Sequence, residues 1–190
     1  MARLHRKLAN RSRLAAIDST GLEAHHISHY YSMRLGLRKT RYPKWTLVIE
    51  TRTHLILAAV ADRGPLPDDI EFTQAVKTAH ANQPFEELLG DAGYDSEAHH
   101  RLVREELGAR SIIPALRGRP TSKAPTGFYR AMMAANFPQK RYGQRWQVES
   151  AFSTHKRRLG SALRARTYWT QCREIGLRAI THNLMLIAGN

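Results

Sequence analysis

Five short apolar runs, separated by turn signals and by stretches of helical periodicity, constrain the fold of this chain more than any other feature. The first, Leu14-Ala15-Ala16-Ile17, ends at Asp18 and is followed by Ser19-Thr20-Gly21, which reads as a turn. Trp45–Ile49 has β-branched and aromatic residues, Leu55–Val60 is a second apolar run, and Thr51-Arg52-Thr53 between them predicts a hairpin. Glu87-Leu88-Leu89-Gly90-Asp91 and Ser111-Ile112-Ile113-Pro114 read as the fourth and fifth strands. After the break at Arg63-Gly64-Pro65-Leu66-Pro67, Asp68 or Asp69 is placed to cap a helix reaching about His80, with Phe72, Val76 and Ala79 on one face. Asp95 or Ser96 caps a second helix through Leu107, closed by Gly108. A long helix carrying Glu149 ends near Gly160. Gln171 to Ile187, with Ile175, Leu177, Ile180, Leu184, Met185 and Ile187, reads as a final packing helix. Glu23 to Arg41 reads as a long exposed loop or an irregular hairpin arm, and Arg117 to Thr126 as a loop. The order predicts a mixed α/β domain over residues 14–190, its sheet covered by helices, behind a basic N-terminal arm over residues 1–13.

A formal net charge of +14 on 190 residues favours a polyanionic partner, because each neutralised phosphate releases counterions. Cys172 is the sole cysteine, which excludes an internal disulfide and a thiolate zinc site and suits a reducing compartment. The basic start Met1-Ala2-Arg3-Leu4-His5-Arg6-Lys7 lacks the apolar stretch of a secretory signal, and no segment has the length of a bilayer span. A cytoplasmic location is expected. His25, His26, His29, His99, His100 and His155 are read as facing nucleic acid or solvent rather than zinc, since adjacent histidines on a helix do not share a face.

Read as a helix at about 100° per residue, Tyr142, Arg145, Glu149 and Lys156 fall within an arc of roughly 60°. Val148, Phe152 and Leu159 form an apolar stripe beside that row, which would pin the helix to the sheet with its polar row along the edge. A carboxylate flanked by phosphate-binding donors suits a divalent cation beside a phosphodiester. Such a row is also ordinary as an exposed helix face with i,i+4 charge pairs. Asp18 before Ser-Thr-Gly is equally a turn aspartate, Asp91 sits between glycines that allow a sharp turn, Asp62 before Arg-Gly-Pro reads as a turn residue, and Asp95 as a cap. Two strand-borne aspartates and one helical glutamate together suggest metal-dependent phosphoryl transfer.

The spacing of Tyr142, Arg145, Glu149 and Lys156 resembles the Y-R-E-K signature of bacterial insertion-sequence transposases of the DDE type. Ile17-Asp18-Ser19-Thr20-Gly21-Leu22 resembles the first-aspartate segment of that family and Asp91-Ala92-Gly93-Tyr94-Asp95 its second; Tyr30 to Ala59, basic and Tyr-rich and then a hairpin, follows its pattern. The resemblance spans about Leu14 to Ile187. It implies an RNase H-like fold, a five-stranded mixed sheet flanked by helices. It implies that Asp18, Asp91 and Glu149 are catalytic and bind two Mg²⁺ ions, with Mn²⁺ as a substitute, and that Tyr142, Arg145 and Lys156 contact DNA phosphates near the scissile bond. The implied reaction is cleavage of double-stranded DNA at the element's ends and joining of the freed 3′ end to target DNA, by a homodimer on paired ends. The family's helical DNA-binding region before the first aspartate is not seen, so a catalytic-domain fragment, a split-frame product or a remnant is expected. A nuclease on the same fold and an inactive DNA-binding chain that inhibits a full-length relative are the alternative readings.

Overall fold

The computed structural model describes residues 13–23, 34, 42–64, 71–116 and 124–189. Most of the expected basic arm, most of the loop from Glu23 to Arg41 with His25, His26 and His29, the cap at Asp68 or Asp69, and much of the loop after Arg117 lie outside these residues. Five strands form one mixed sheet: β1 (Leu14–Gly21), β2 (Tyr42–Glu50), β3 (Ile56–Gly64), β4 (Glu87–Leu89) and β5 (Arg110–Ile112). Their order across the sheet is β3-β2-β1-β4-β5. The hairpin strands β2 and β3 pair antiparallel and β2 pairs antiparallel with β1, whereas β4 lies parallel to β1 and β5 parallel to β4. The parallel steps follow from sequence order, because a helix intervenes before β4 and again before β5.

Helices cover both faces. The helix α1 (Phe72–Asn82) and the short α2 (Glu97–Arg101), which runs into a π-helical turn over Leu102–Glu106, lie on one side. Phe72, Val76 and Ala79 of α1 are buried there against Ala15, Ile17 and Val48, as their spacing predicts. On the other side lie α5 (Trp146–Leu159) and α6 (Tyr168–Ala188), whose Val148, Phe152 and Ile175 meet Leu14, Ala16, Trp45 and Leu47. Strand β1 therefore buries alternate residues in two different cores, which is why its apolar run is continuous rather than alternating. Between β5 and α5 in the chain come α3 (Phe128–Ala135), a helix with no counterpart in the sequence reading, and the single turn α4 (Gln139–Tyr142).

Several expectations are corrected. Ser19-Thr20-Gly21 is strand, not turn: the three residues pair with Thr46, Trp45 and Lys44 of β2. Asp62 likewise stays within β3, opposite Lys44. Asp95 does not cap α2; Arg130 and the Leu116 amide take its carboxylate, and Ser96 at the cap position makes no side-chain cap bond. The helix bearing Glu149 is not continuous from Tyr142, because a 3₁₀ turn over Gly143–Arg145 separates α4 from α5. Gly108 and Gly160 do end helical segments, with φ of 66° and 88° that favour glycine. His99, His100 and His155 face the interior instead of solvent. His99 stacks on Phe72 at 4.0 Å between ring centroids, His100 bonds Ser111 Oγ at 2.6 Å, and His155 lies 4.3 Å from the Trp45 ring centroid. Finally, α6 packs through Ile175, while Leu177, Ile180 and Leu184 point outward.

Candidate active site

The register of β1 and β4 does the first part of the assembly. Ala16 pairs with Leu89, and two residues beyond that pair come Asp18, still within β1, and Asp91, just past the end of β4. Asp18 Oδ1 accepts the Ser19 amide at 2.8 Å, and Asp91 Oδ1 accepts the Gly93 amide at 2.9 Å as the cap of the 3₁₀ turn Ala92–Tyr94. Ser19 Oγ lies 2.7 Å from both Thr46 Oγ1 and Tyr94 Oη, a hydroxyl chain that ties β1 to β2 and to the turn after Asp91.

Helix α5 supplies the rest, because the apolar stripe of Val148 and Phe152 fixes its rotation on the sheet. The Arg145 guanidinium stands 3.7 Å from Asp18 Oδ2 and 2.5 Å from Glu149 Oε1, bridging strand and helix carboxylates. Lys156 Nζ donates to Thr20 Oγ1 at 2.8 Å. Tyr142 packs edge-on against Phe137, 6.0 Å below the Arg145 guanidinium. Asp18, Thr20, Glu149, Ser153, Lys156 and Arg157 are among the residues that line one open cleft of about 520 Å³. A larger cleft of about 900 Å³, lined by Arg52, Lys140, Gln144 and Gln147 among others, lies on the other side of α5 and contains none of the acidic residues.

Electrostatics mark the same place. Burial pushes the Asp18 carboxyl from 3.8 up to about 6; the charges of Asp91 and Glu149 add to that rise, and the Ser19 amide and Arg145 oppose it. Burial also raises the Tyr142 phenol, with Arg145 opposing and Asp91 and Asp18 adding to the rise. Asp18, Asp91, Glu149, Tyr142 and Arg145 thus share one electrostatic neighbourhood, and Lys156 lines the same cleft as Asp18 and Glu149. Ser19, Thr20, Ser153 and Arg157 were missed. Thr20 had a signal, being two residues from Asp18 and so on the same strand face, but reading a turn at Ser19 concealed it.

Among the described residues no three acidic, histidine or cysteine side chains are spaced to close around an ion. Glu149 is turned toward Arg145, and its side chain is 54% exposed. Carboxylate oxygens are nevertheless the donors a hard divalent cation takes. Asp18, held near pH 6 by burial and by two neighbouring acids, is a site where added positive charge is favourable.

The family model for the transposase DDE domain matches residues 9–184. The chain belongs to the transposase DDE domain family. Its mixed five-stranded sheet between helical layers is the RNase H-like architecture of such a domain. Membership implies an enzyme of DNA transposition, with DNA as substrate and strand cleavage and transfer as its chemistry. A comparison with curated proteins gives no match. No helix among the described residues of this DDE domain is long and apolar enough to cross a membrane.

Proposed function

We propose that this DDE domain cuts DNA at the ends of an insertion sequence and joins the freed 3′ ends to target DNA, using Asp18, Asp91 and Glu149 as its catalytic carboxylates. The observation that carries the reading is that Asp18 and Glu149 line one cleft and are bridged by Arg145, with the Asp91 charge close enough to help raise the Asp18 carboxyl. The three would hold two Mg²⁺ ions, for which Mn²⁺ substitutes. Such ions, when bound, supply a nucleophilic oxygen at neutral pH and Lewis acidity at the phosphorus.

The chain's own residues prepare the substrate. Lys156 and Arg157 give the cleft wall the positive charge that attracts a phosphodiester. Arg145 neutralises Asp18 and Glu149 while no cation is present, and its guanidinium is free to turn to a phosphate once one is. Tyr142, next to Arg145, offers a phenolic donor for a phosphate oxygen. Backbone amides hold Asp18 and Asp91 in place, so these two carboxylates need little reorganisation.

Incubation with supercoiled plasmid and a short duplex bearing a 3′-hydroxyl tests this. Metal-dependent joining that Asp18→Ala and Glu149→Gln both abolish is expected. Nicks without joined product would make the chain a nuclease on this fold. DNA binding indifferent to both substitutions, with neither cutting nor joining, would make it an inactive DNA-binding remnant.

A further inference from the structure

We propose that Tyr94 is a positioning residue for the two strand-borne acids. Its phenol ties the turn that follows Asp91 to the strand that carries Asp18, and so sets the spacing across which the two carboxylates share a divalent cation. This role rests on the reading of Asp18 and Asp91 as metal-holding carboxylates and adds what keeps them in step. The parallel ladder between β1 and β4 ends at the Ala16–Leu89 pair, short of both acids. The next residue, Gly90, turns to β5, its amide donating to the Ile112 carbonyl at 3.2 Å. Past that pair the β1–β4 backbone ladder no longer sets Asp91 against Asp18.

Side chains continue what the ladder leaves off. Tyr94 Oη lies 2.7 Å from Ser19 Oγ, and Ser19 Oγ lies 2.7 Å from Thr46 Oγ1 on β2. The Ser19 amide holds Asp18 Oδ1, and the Gly93 amide holds Asp91 Oδ1. The Tyr94 amide donates to the Asp91 carbonyl at 3.1 Å. Hydrogen bonds thus run from one acid to the other through the Tyr94 side chain. That side chain is held firmly. It is fully buried, its ring lies 5.5 Å from the Phe72 ring, and the Tyr94 carbonyl meets His99 Nδ1 at 2.9 Å. The far end of the turn is fixed as well, because the buried Asp95 carboxylate takes Arg130 and the Leu116 amide. Gly90 allows the close seat: a Cβ there would lie 3.3 Å from Ile17 and 3.4 Å from the Tyr94 ring. Phenylalanine would fill the same apolar space, so packing alone does not call for the hydroxyl. A divalent cation takes its oxygens at nearly fixed separations, and ligands free to drift by about 0.5 Å bind it less well.

Calorimetric titration of the full chain with Mn²⁺ tests the role without relying on activity. Tyr94→Phe should weaken binding by about 10–100-fold, the range for a group that orients a metal ligand. Ser19→Ala should weaken it similarly, and the double variant no further, because the two changes remove one bond. Val76→Ala, a truncation in the same buried layer, should lower the melting temperature at least as far and leave Mn²⁺ affinity at the wild-type value. Wild-type affinity in Tyr94→Phe, or an equal loss in Val76→Ala, would overturn the positioning role. If Asp18→Ala still abolishes binding, the carboxylate reading survives that result. Mn²⁺ binding untouched by Asp18→Ala would overturn the carboxylate reading, and the role of Tyr94 with it.

Discussion

Replacing Asp18 by asparagine should stabilise the metal-free protein, by an amount that the pKa of the site sets. Asp18 titrates near 6 in the folded chain against 3.8 for the free side chain, chiefly because burial strips its carboxylate of water. Its side chain is only 17% exposed, so screening by solvent removes little of this. The folded state binds the proton more tightly than the unfolded state, so stability declines as pH rises from 3.8 to about 6 and stays low above that. At 1.36 kcal/mol per pH unit the ionised carboxylate costs about 3 kcal/mol at pH 7.5. Asparagine keeps an oxygen for the Ser19 amide and removes the charge, so most of that cost should be recovered. For a chain of this length about 3 kcal/mol corresponds to a rise in Tm of about 6–12 °C. Urea denaturation in EDTA at pH 7.5 and again at pH 4 is the assay. The variant should gain about 3 kcal/mol at the higher pH and almost nothing at the lower, where Asp18 is already protonated in the folded state. A variant no more stable than wild type at pH 7.5, or a gain that does not change with pH, would refute the account of Asp18 as a buried, under-neutralised acid.

Burial holds His100 and His155 near 4, below the usual 6.5, so each is neutral in the fold where the unfolded chain is protonated. Stability should fall as pH drops from 6.5 to about 4, by about 3 kcal/mol for each ring, and a flat urea profile in the Asp18→Asn background would contradict this. Lys44 and Glu71 form an ion pair at 2.9 Å with both side chains under 5% exposed, so Lys44→Met should cost about 3–5 kcal/mol by denaturation. Adding Glu71→Leu should restore most of that loss, because the stranded buried charge is then gone; a double variant as unstable as the single would count against it. Arg145→Ala should weaken DNA binding by about 1–3 kcal/mol, as loss of a charge-assisted phosphate contact does, and equal affinities at low salt would exclude that contact. Affinity of the wild-type chain should fall steeply with added salt; a flat response would turn the basic surface toward some other partner.

Local chemistry alone made most of the strands and helices legible and singled out Asp18, Asp91 and Glu149 as candidates. Trp45–Ile49 and the helix around Phe72, Val76 and Ala79 were legible because their apolar periodicity records burial on one face or in one sheet. The row Tyr142, Arg145, Glu149 and Lys156 was legible because spacing on a helix is nearly rigid. The break after Tyr142 was not, since a 3₁₀ turn leaves no mark in residue type. Ser19-Thr20-Gly21 has the composition of a turn, and only hydrogen bonds to Thr46, Tyr94 and the β2 backbone hold it as strand. Asp95 looked like a cap until Arg130, 35 residues away, took its carboxylate. The histidines looked like polar surface because a side chain's burial depends on what packs over it. Tertiary structure also decided that Asp18 and Asp91 each lie two residues beyond one pair of the parallel β1–β4 register, and that Arg145 bridges Asp18 to Glu149. The physical division is one of range: turn, helix and strand preferences act over a few residues, whereas register, burial and the pKa of Asp18 arise from groups that only the folded chain brings together.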